Sequence, residues 1–177
     1  LTTKSELRKA WRQKVDRLSS VRKQEAKDAL FERLSKRLSG PTLSFASRHN
    51  EIDLWPVNHW LVKQNWLSLP RVEHRTLAVH LVTDIAQDLL LSAWNVLEPR
   101  PEICPPIDPR ALQFVLVPAL AFDVAHHRLG LGKGYYDMFL AKHPTIHSIG
   151  VSYREQMCPE LLPHESWDIP VHELILV

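Results

Sequence analysis

Apolar positions along this chain follow two rhythms, one helical and one extended. Between residues 3 and 18, Leu7, Trp11, Val15 and Leu18 recur at helical spacing and define one face. Thr2 or Thr3 can cap the start of that helix, and Ser19-Ser20 marks a break after it. A second helix runs to about Leu38, turning Ala26, Leu30, Leu34 and Leu38 inward, and Gly40-Pro41 stops it. Short apolar runs then predict strands at 43–47, 66–70, 77–82, 113–117, 147–153 and 174–177. Helical patterns lie between them at 51–65, 84–92 and 135–142. In the first of these, Ile52, Trp55, His59, Trp60 and Val62 are mostly apolar, and Pro56 is tolerable only near the beginning. In the last, Tyr136, Phe139 and Leu140 take the buried side.

The run Gln113-Phe114-Val115-Leu116-Val117 is continuously apolar after its first residue, as a central parallel strand buried on both faces requires. Strands alternating with helices predict an α/β fold: a single domain over residues 1–177 with a mostly parallel sheet flanked by helices, a Rossmann-like three-layer arrangement preceded by two N-terminal helices. The stretch from Pro99 to Pro109 holds five prolines and reads as a surface connection. Ligands of such folds bind beyond the carboxyl ends of the strands, which directs attention to the segment after Val117.

Composition narrows the class. At 45% apolar and 24% charged residues, the chain reads as an ordinary soluble protein, without a run approaching the ~20 apolar residues of a membrane span. The charged, helical N-terminal segment does not read as a signal peptide. Cys104 and Cys158 are too few for a disulfide framework, which suits a reducing cytoplasm. A monomer without membrane partners is expected. The net charge of +2 is unevenly spread: residues 1–40 carry twelve Lys/Arg against five Asp/Glu. These cations could bind nucleic acid or neutralise a polyanionic ligand. Interspersed acids and the lack of a reading motif favour solvated helices, so no nucleic-acid partner is expected.

Three of the five glycines fall at alternate positions in Arg128-Leu129-Gly130-Leu131-Gly132-Lys133-Gly134-Tyr135-Tyr136-Asp137. Such a turn can adopt positive φ, expose successive N–H groups to an anion, and lead into a helix whose positive end adds to the field. The expected occupant is phosphate. The segment departs from both common nucleotide loops. No hydroxyl follows Lys133 to meet a cation, and the glycine spacing is not that of a dinucleotide fingerprint.

These residues, with the preceding Val117-Pro118-Ala119-Leu120-Ala121-Phe122-Asp123, closely resemble the signature of 5-formyltetrahydrofolate cyclo-ligases. Weaker matches follow in order over the whole chain: Lys4-x-x-Leu7-Arg8, Glu51, Leu69-Pro70-Arg71, Trp94-Asn95-x-x-Glu98-Pro99, Gly150-Val151 through Gln156, Leu162-Pro163 and Asp168. The resemblance implies ATP- and Mg²⁺-dependent closure of 5-formyltetrahydrofolate to 5,10-methenyltetrahydrofolate. By matching position it implies that Lys4, Arg8, Arg128 and Lys133 neutralise ATP phosphates, Arg128 and Lys133 being the catalytic pair. The backbone of Leu129, Gly130, Leu131, Gly132, Lys133 and Gly134 would wrap the phosphates, and Asp137 and Asp168 would hold Mg²⁺. Glu51 would bind the pterin, and Trp94, Tyr135 and Tyr136 would pack on folate rings; core packing is the competing role for Trp94 and Tyr136.

Some positions depart from the family pattern. His126 stands where glycine is usual, Met138 where arginine is frequent and His172 where an acid is frequent. The segment after Glu51 also lacks the usual threonine. The glycine replaced by His126 is expected to serve a turn. The alternative function is a catalytically impaired nucleotide- or folate-binding relative. The adjacent pair His126-His127 does not predict a transition-metal site, because adjacent side chains diverge. The chain begins without methionine and ends inside a strand pattern, so terminal residues beyond both ends are expected.

Overall fold

In the computed structural model, residues 3–93 and 95–177 are described. Helix α1 (Lys4–Asp16) opens on a capping box: Thr3 Oγ1 accepts from the Glu6 amide, and the Glu6 carboxylate accepts from the Thr3 amide. Ser19 caps α2 (Ser20–Arg37), on which Ala26, Leu30 and Leu34 are buried as the spacing predicts. Strand β1 (Thr42–Leu43) is shorter than expected, and α3 (Trp55–Lys63) begins four residues after Glu51, with Pro56 in its first turn. Its buried residues are Val57, Asn58 and Leu61, Trp60 and Val62 pack partly against the same core, and His59 is exposed. Asn58 is polar yet buried. Its amide accepts from the Ser44 hydroxyl and donates to the Phe45 carbonyl, an internally satisfied polar tie between α3 and the end of β1.

Strands β2 (Leu67–Glu73) and β3 (Thr76–Leu81) form a hairpin about His74 and Arg75, both at positive φ. The helix expected at 84–92 is one turn only, α4 (Ile85–Asp88), followed by a second hairpin of β4 (Leu89–Leu91) and β5 (Leu97–Pro99). The remaining elements are β6 (Phe114–Val117), β7 (Ala121–Asp123), β8 (Arg128–Leu129), α5 (Tyr135–Lys142), β9 (His147–Ser152), β10 (Met157–Cys158) and β11 (Glu173–Leu176).

The main sheet has the order β11-β9-β6-β1-β2-β3, parallel except for the edge strand β3. Alternate residues of β6 feed two cores: Phe114 and Leu116 join the α2 and α3 side, while Val115 and Val117 join Phe139 and Leu140 of α5. This is the predicted three-layer α/β fold. A small sheet, β10-β7-β8, stands beyond the carboxyl end of β6 and shares a satellite core with Leu7 and Trp11 of α1. Phe122 of β7 lies against β9, where a Cβ on Gly150 would stand 2.6 Å from its ring.

Some cations of the basic N-terminal helices pair with acids elsewhere in the fold. Arg22 forms two hydrogen bonds with Glu155, at 2.7 and 2.9 Å, and Arg37 pairs with Glu173 at 2.9 Å. The Arg22 hydrogen bond, against a smaller opposing effect of burial, holds the Glu155 carboxyl below its usual range. For Glu173, burial pushes the pKa up, but hydrogen bonds from Arg37 and His147 together bring it down. A depressed folded-state pKa contributes stability above the unfolded carboxylate value, and that contribution disappears as pH falls through the folded value. The α2 clasp is therefore expected to be intact at neutral pH and to weaken below about 4.5. Thermal unfolding as a function of pH checks this: Glu155→Gln should show a shallower acid slope than the parent chain.

Candidate functional site

The glycine-rich turn lies between β8 and α5, beyond the carboxyl edge of the sheet, where strand order and loop position placed it. Gly132 has φ +97° and Gly134, which caps α5 without a side chain, has φ +69°. Both values are costly for residues with a Cβ. Gly130 does not need positive φ, and a Cβ at Gly130 or Gly134 would meet nothing within 4 Å. Open space above these backbone positions is what a ligand approaching the main chain requires.

Distant parts of the chain close on this turn. Arg8 of α1 donates through Nε to the Gly130 carbonyl at 2.9 Å, and a Cβ on Gly132 would stand 3.1 Å from its guanidinium. Substituting Gly132 with Ala therefore combines a strained φ with displacement of Arg8. Folded Gly132→Ala protein should lose roughly 1–3 kcal/mol in chemical denaturation. Lys4 Nζ lies 3.3 Å from Glu165 and 3.4 Å from Asp168. Arg128, whose side chain is only 5% exposed, donates to Asp137 at 2.7 Å and to the Ile169 carbonyl at 3.0 Å. Asp137 Oδ1 also accepts from the Ile169 amide at 3.0 Å. Lys133 is exposed at the tip of the turn and has no ion pair among the described residues.

Lys4, Arg8, Arg128, Asp137 and Asp168 are thus assembled around the Gly130–Gly134 turn, from α1, β8, α5 and the segment before β11. The carboxylates could also hold a hard cation. Among the described residues, protein contacts engage Asp137 Oδ1 and Asp168 Oδ2, leaving the second oxygen of each without a hydrogen bond.

Glu51 joins this neighbourhood through α5. The Tyr136 phenol is pushed up by burial and by the negative charge of Glu51, with Arg128 acting the other way. Tyr136 also packs against the α5 core, so the core role and proximity to the site coexist. Glu51 is held by the Arg48 amide at 2.9 Å, a contact sequence reasoning missed. Tyr135 is half-buried at the start of α5. Trp94 lies outside the described residues. Its neighbours Asn95, Val96 and Leu97 line a cavity of about 310 Å³ with Ser47, Arg48 and His49. A second cavity of about 390 Å³ shares Arg48 and reaches Glu51.

The profile of the 5-formyltetrahydrofolate cyclo-ligase family matches residues 1–177. The chain belongs to that family. It is similar to the 5-formyltetrahydrofolate cyclo-ligase of Mus musculus, 28% identical over 156 residues, covering 80% of this chain and 73% of the relative. It is also similar to that of Escherichia coli K12, 27% identical with 74% of each covered. Among solved structures, the 5,10-methenyltetrahydrofolate synthetase of Aquifex aeolicus superposes with a TM-score of 0.86 at 32% identity, covering 99% of this chain and 90% of that one. A Mycoplasma pneumoniae protein of the same name shares the fold, with a TM-score of 0.75 at 22% identity and 98% of each chain covered. The cyclo-ligase family is one of ligase enzymes. No helix among the described residues is long and apolar enough to cross a membrane.

The turn preceding the site resolves one departure from the family pattern. His126 adopts φ +66°, the left-handed conformation that glycine takes without cost. The turn makes two bonds to Val171: the His126 carbonyl accepts from its amide, and His126 Nδ1, which a glycine would lack, lies 3.1 Å from its carbonyl. His172 replaces an acid by joining Ser148 instead, with the Ser148 amide donating to its Nδ1 at 3.1 Å. Met138 is exposed on α5, and nothing in the structure explains its choice there.

Proposed function

We propose that this chain converts 5-formyltetrahydrofolate to 5,10-methenyltetrahydrofolate at the expense of ATP, releasing ADP and phosphate. The observation that carries the reading is a glycine turn with open backbone positions, held by Arg8 and followed by a segment whose Asp168 and Ile169 engage Lys4, Arg128 and Asp137.

A formamide carbonyl is a weak electrophile and its oxygen a poor leaving group. Transfer of the γ-phosphoryl group from ATP to the formyl oxygen corrects both. The neighbouring N10 then attacks the formyl carbon, the C–O bond breaks, phosphate departs and N10 loses its proton. Little covalent work falls to the protein, so catalysis consists of positioning and charge neutralisation. In this reading Lys133 meets the terminal phosphate, while Lys4 and Arg8 hold the polyphosphate against the Gly130–Gly134 backbone. Arg128, fixed by Asp137, presents positive charge beneath the turn. Asp137 and Asp168 would hold Mg²⁺, whose chemistry is to neutralise phosphate oxygens. Glu51 orients the pterin through its donor edge, and Tyr135, Tyr136 and Trp94 flank the rings.

The test is incubation of purified protein with 5-formyltetrahydrofolate and MgATP. Methenyl absorbance should rise in proportion to ADP formed, and neither should appear without the other substrate. ATP binding without methenyl formation would replace this reading with that of a non-catalytic binder.

A further inference from the structure

The Asp123 carboxylate is fully buried, and the chemistry above does not use it. Its Oδ1 accepts from the amides of Ala125 and His127, both at 2.9 Å, closing the turn between β7 and β8. Its Oδ2 accepts from the amide of Leu162, also at 2.9 Å and 39 residues away. One side chain thereby joins two segments. Downstream of the turn lie Arg128 and the glycine loop. Downstream of Leu162 lie Glu165, Asp168 and Ile169, the partners of Lys4, Arg128 and Asp137.

The same turn fastens the far end of that strap through His126 and Val171. Near its beginning, the His127 ring stacks on His164, with centroids 4.0 Å apart and planes 8° apart. The strap from 162 to 171 is therefore held at both ends by residues 123–127. The segment carrying Asp168 has no helix or main-sheet strand of its own to position it.

We propose that the Asp123–His127 turn is a clamp setting the strap against the glycine loop, with Asp123 the positioning residue at one end and His126 at the other. This rests on the strap lying at the nucleotide site of the proposed function. Asp123→Asn separates the two halves of the clamp. Its amide oxygen can still serve the turn, but its NH₂ would face the Leu162 amide, donor against donor.

MgATP and 5-formyltetrahydrofolate affinities should be measured separately by calorimetry on the full chain, together with amide hydrogen exchange. Asp123→Asn should weaken MgATP binding about tenfold while leaving folate affinity unchanged, and exchange should accelerate at Leu162 and along the strap. Equal loss of both affinities would indicate general damage and overturn the clamp; so would unchanged MgATP affinity in folded variant protein. If Asp123→Asn does not fold, His126→Gly decides, because it keeps positive φ and removes only the ring's bond to Val171. Weaker MgATP binding by a few-fold supports the clamp, and parental affinity overturns it. Parent protein that binds MgATP but forms no methenyl folate would refute the proposed reaction alone. Parent protein that binds no MgATP would refute both.

Discussion

Lys133→Ala is expected to lower kcat/KM for ATP by about two to three orders of magnitude, with the unfolding midpoint unchanged. The side chain is exposed at the tip of the glycine turn and has no ion pair among the described residues, so the fold has little to lose. Its proposed role is to meet charge that shifts during phosphoryl transfer, where a preorganised cation is worth most. If Lys133 bound ground and transition states equally, KM would rise with kcat unchanged. The expectation is a fall in kcat. Steady-state kinetics beside thermal unfolding separates these outcomes, and near-parental turnover would remove Lys133 from the phosphate site.

Arg128 should behave in the opposite manner, with stability and activity failing together. It is nearly buried and serves Asp137 and the Ile169 carbonyl through different nitrogens of one guanidinium. Arg128→Ala leaves a largely buried carboxylate without its cation, a loss of roughly 3–5 kcal/mol. Arg128→Lys restores the charge but not the planar fork, since one ammonium cannot reproduce both contacts in the same geometry. The lysine variant is therefore expected to recover much of the stability in urea denaturation while turnover stays at least about tenfold below the parent. Full recovery of turnover by lysine would show that only charge matters at this position.

The layered α/β fold was legible because its main strands and helices carry strong patterns. The unbroken apolar run at 114–117 predicted a strand with two buried faces, and alternate residues do enter two cores. The β2–β3 hairpin was hidden because His74 and Arg75 adopt positive φ without the Asn or Gly that normally announces such a turn. The strand pairs around β7 escaped for another reason. Segments of two or three residues cannot display a period, and their pairing with β10 is fixed by tertiary contacts.

Site legibility divides similarly. The glycine spacing and its cations were visible as local chemistry. The joining of Lys4 to Asp168 was not, because 164 residues separate them and only the folded strap brings them together. Asp123 and Arg48 were also invisible as organisers: Asp123 accepts from backbone amides, and Arg48 donates its own amide to Glu51 beside a longer guanidinium contact, and backbone amides leave little trace in composition. His126 was recognisable as a departure, and its positive φ confirms the turn expected there.

The most direct measurement follows one oxygen atom. If the loop delivers the γ-phosphoryl group to the formyl oxygen, substrate carrying ¹⁸O in the formyl group must transfer that label to phosphate during ring closure. Mass analysis should find one labelled oxygen in each phosphate released, with methenyl folate formed in equal amount. Unlabelled phosphate accompanying methenyl formation would mean that ATP is hydrolysed by water, and would contradict the account.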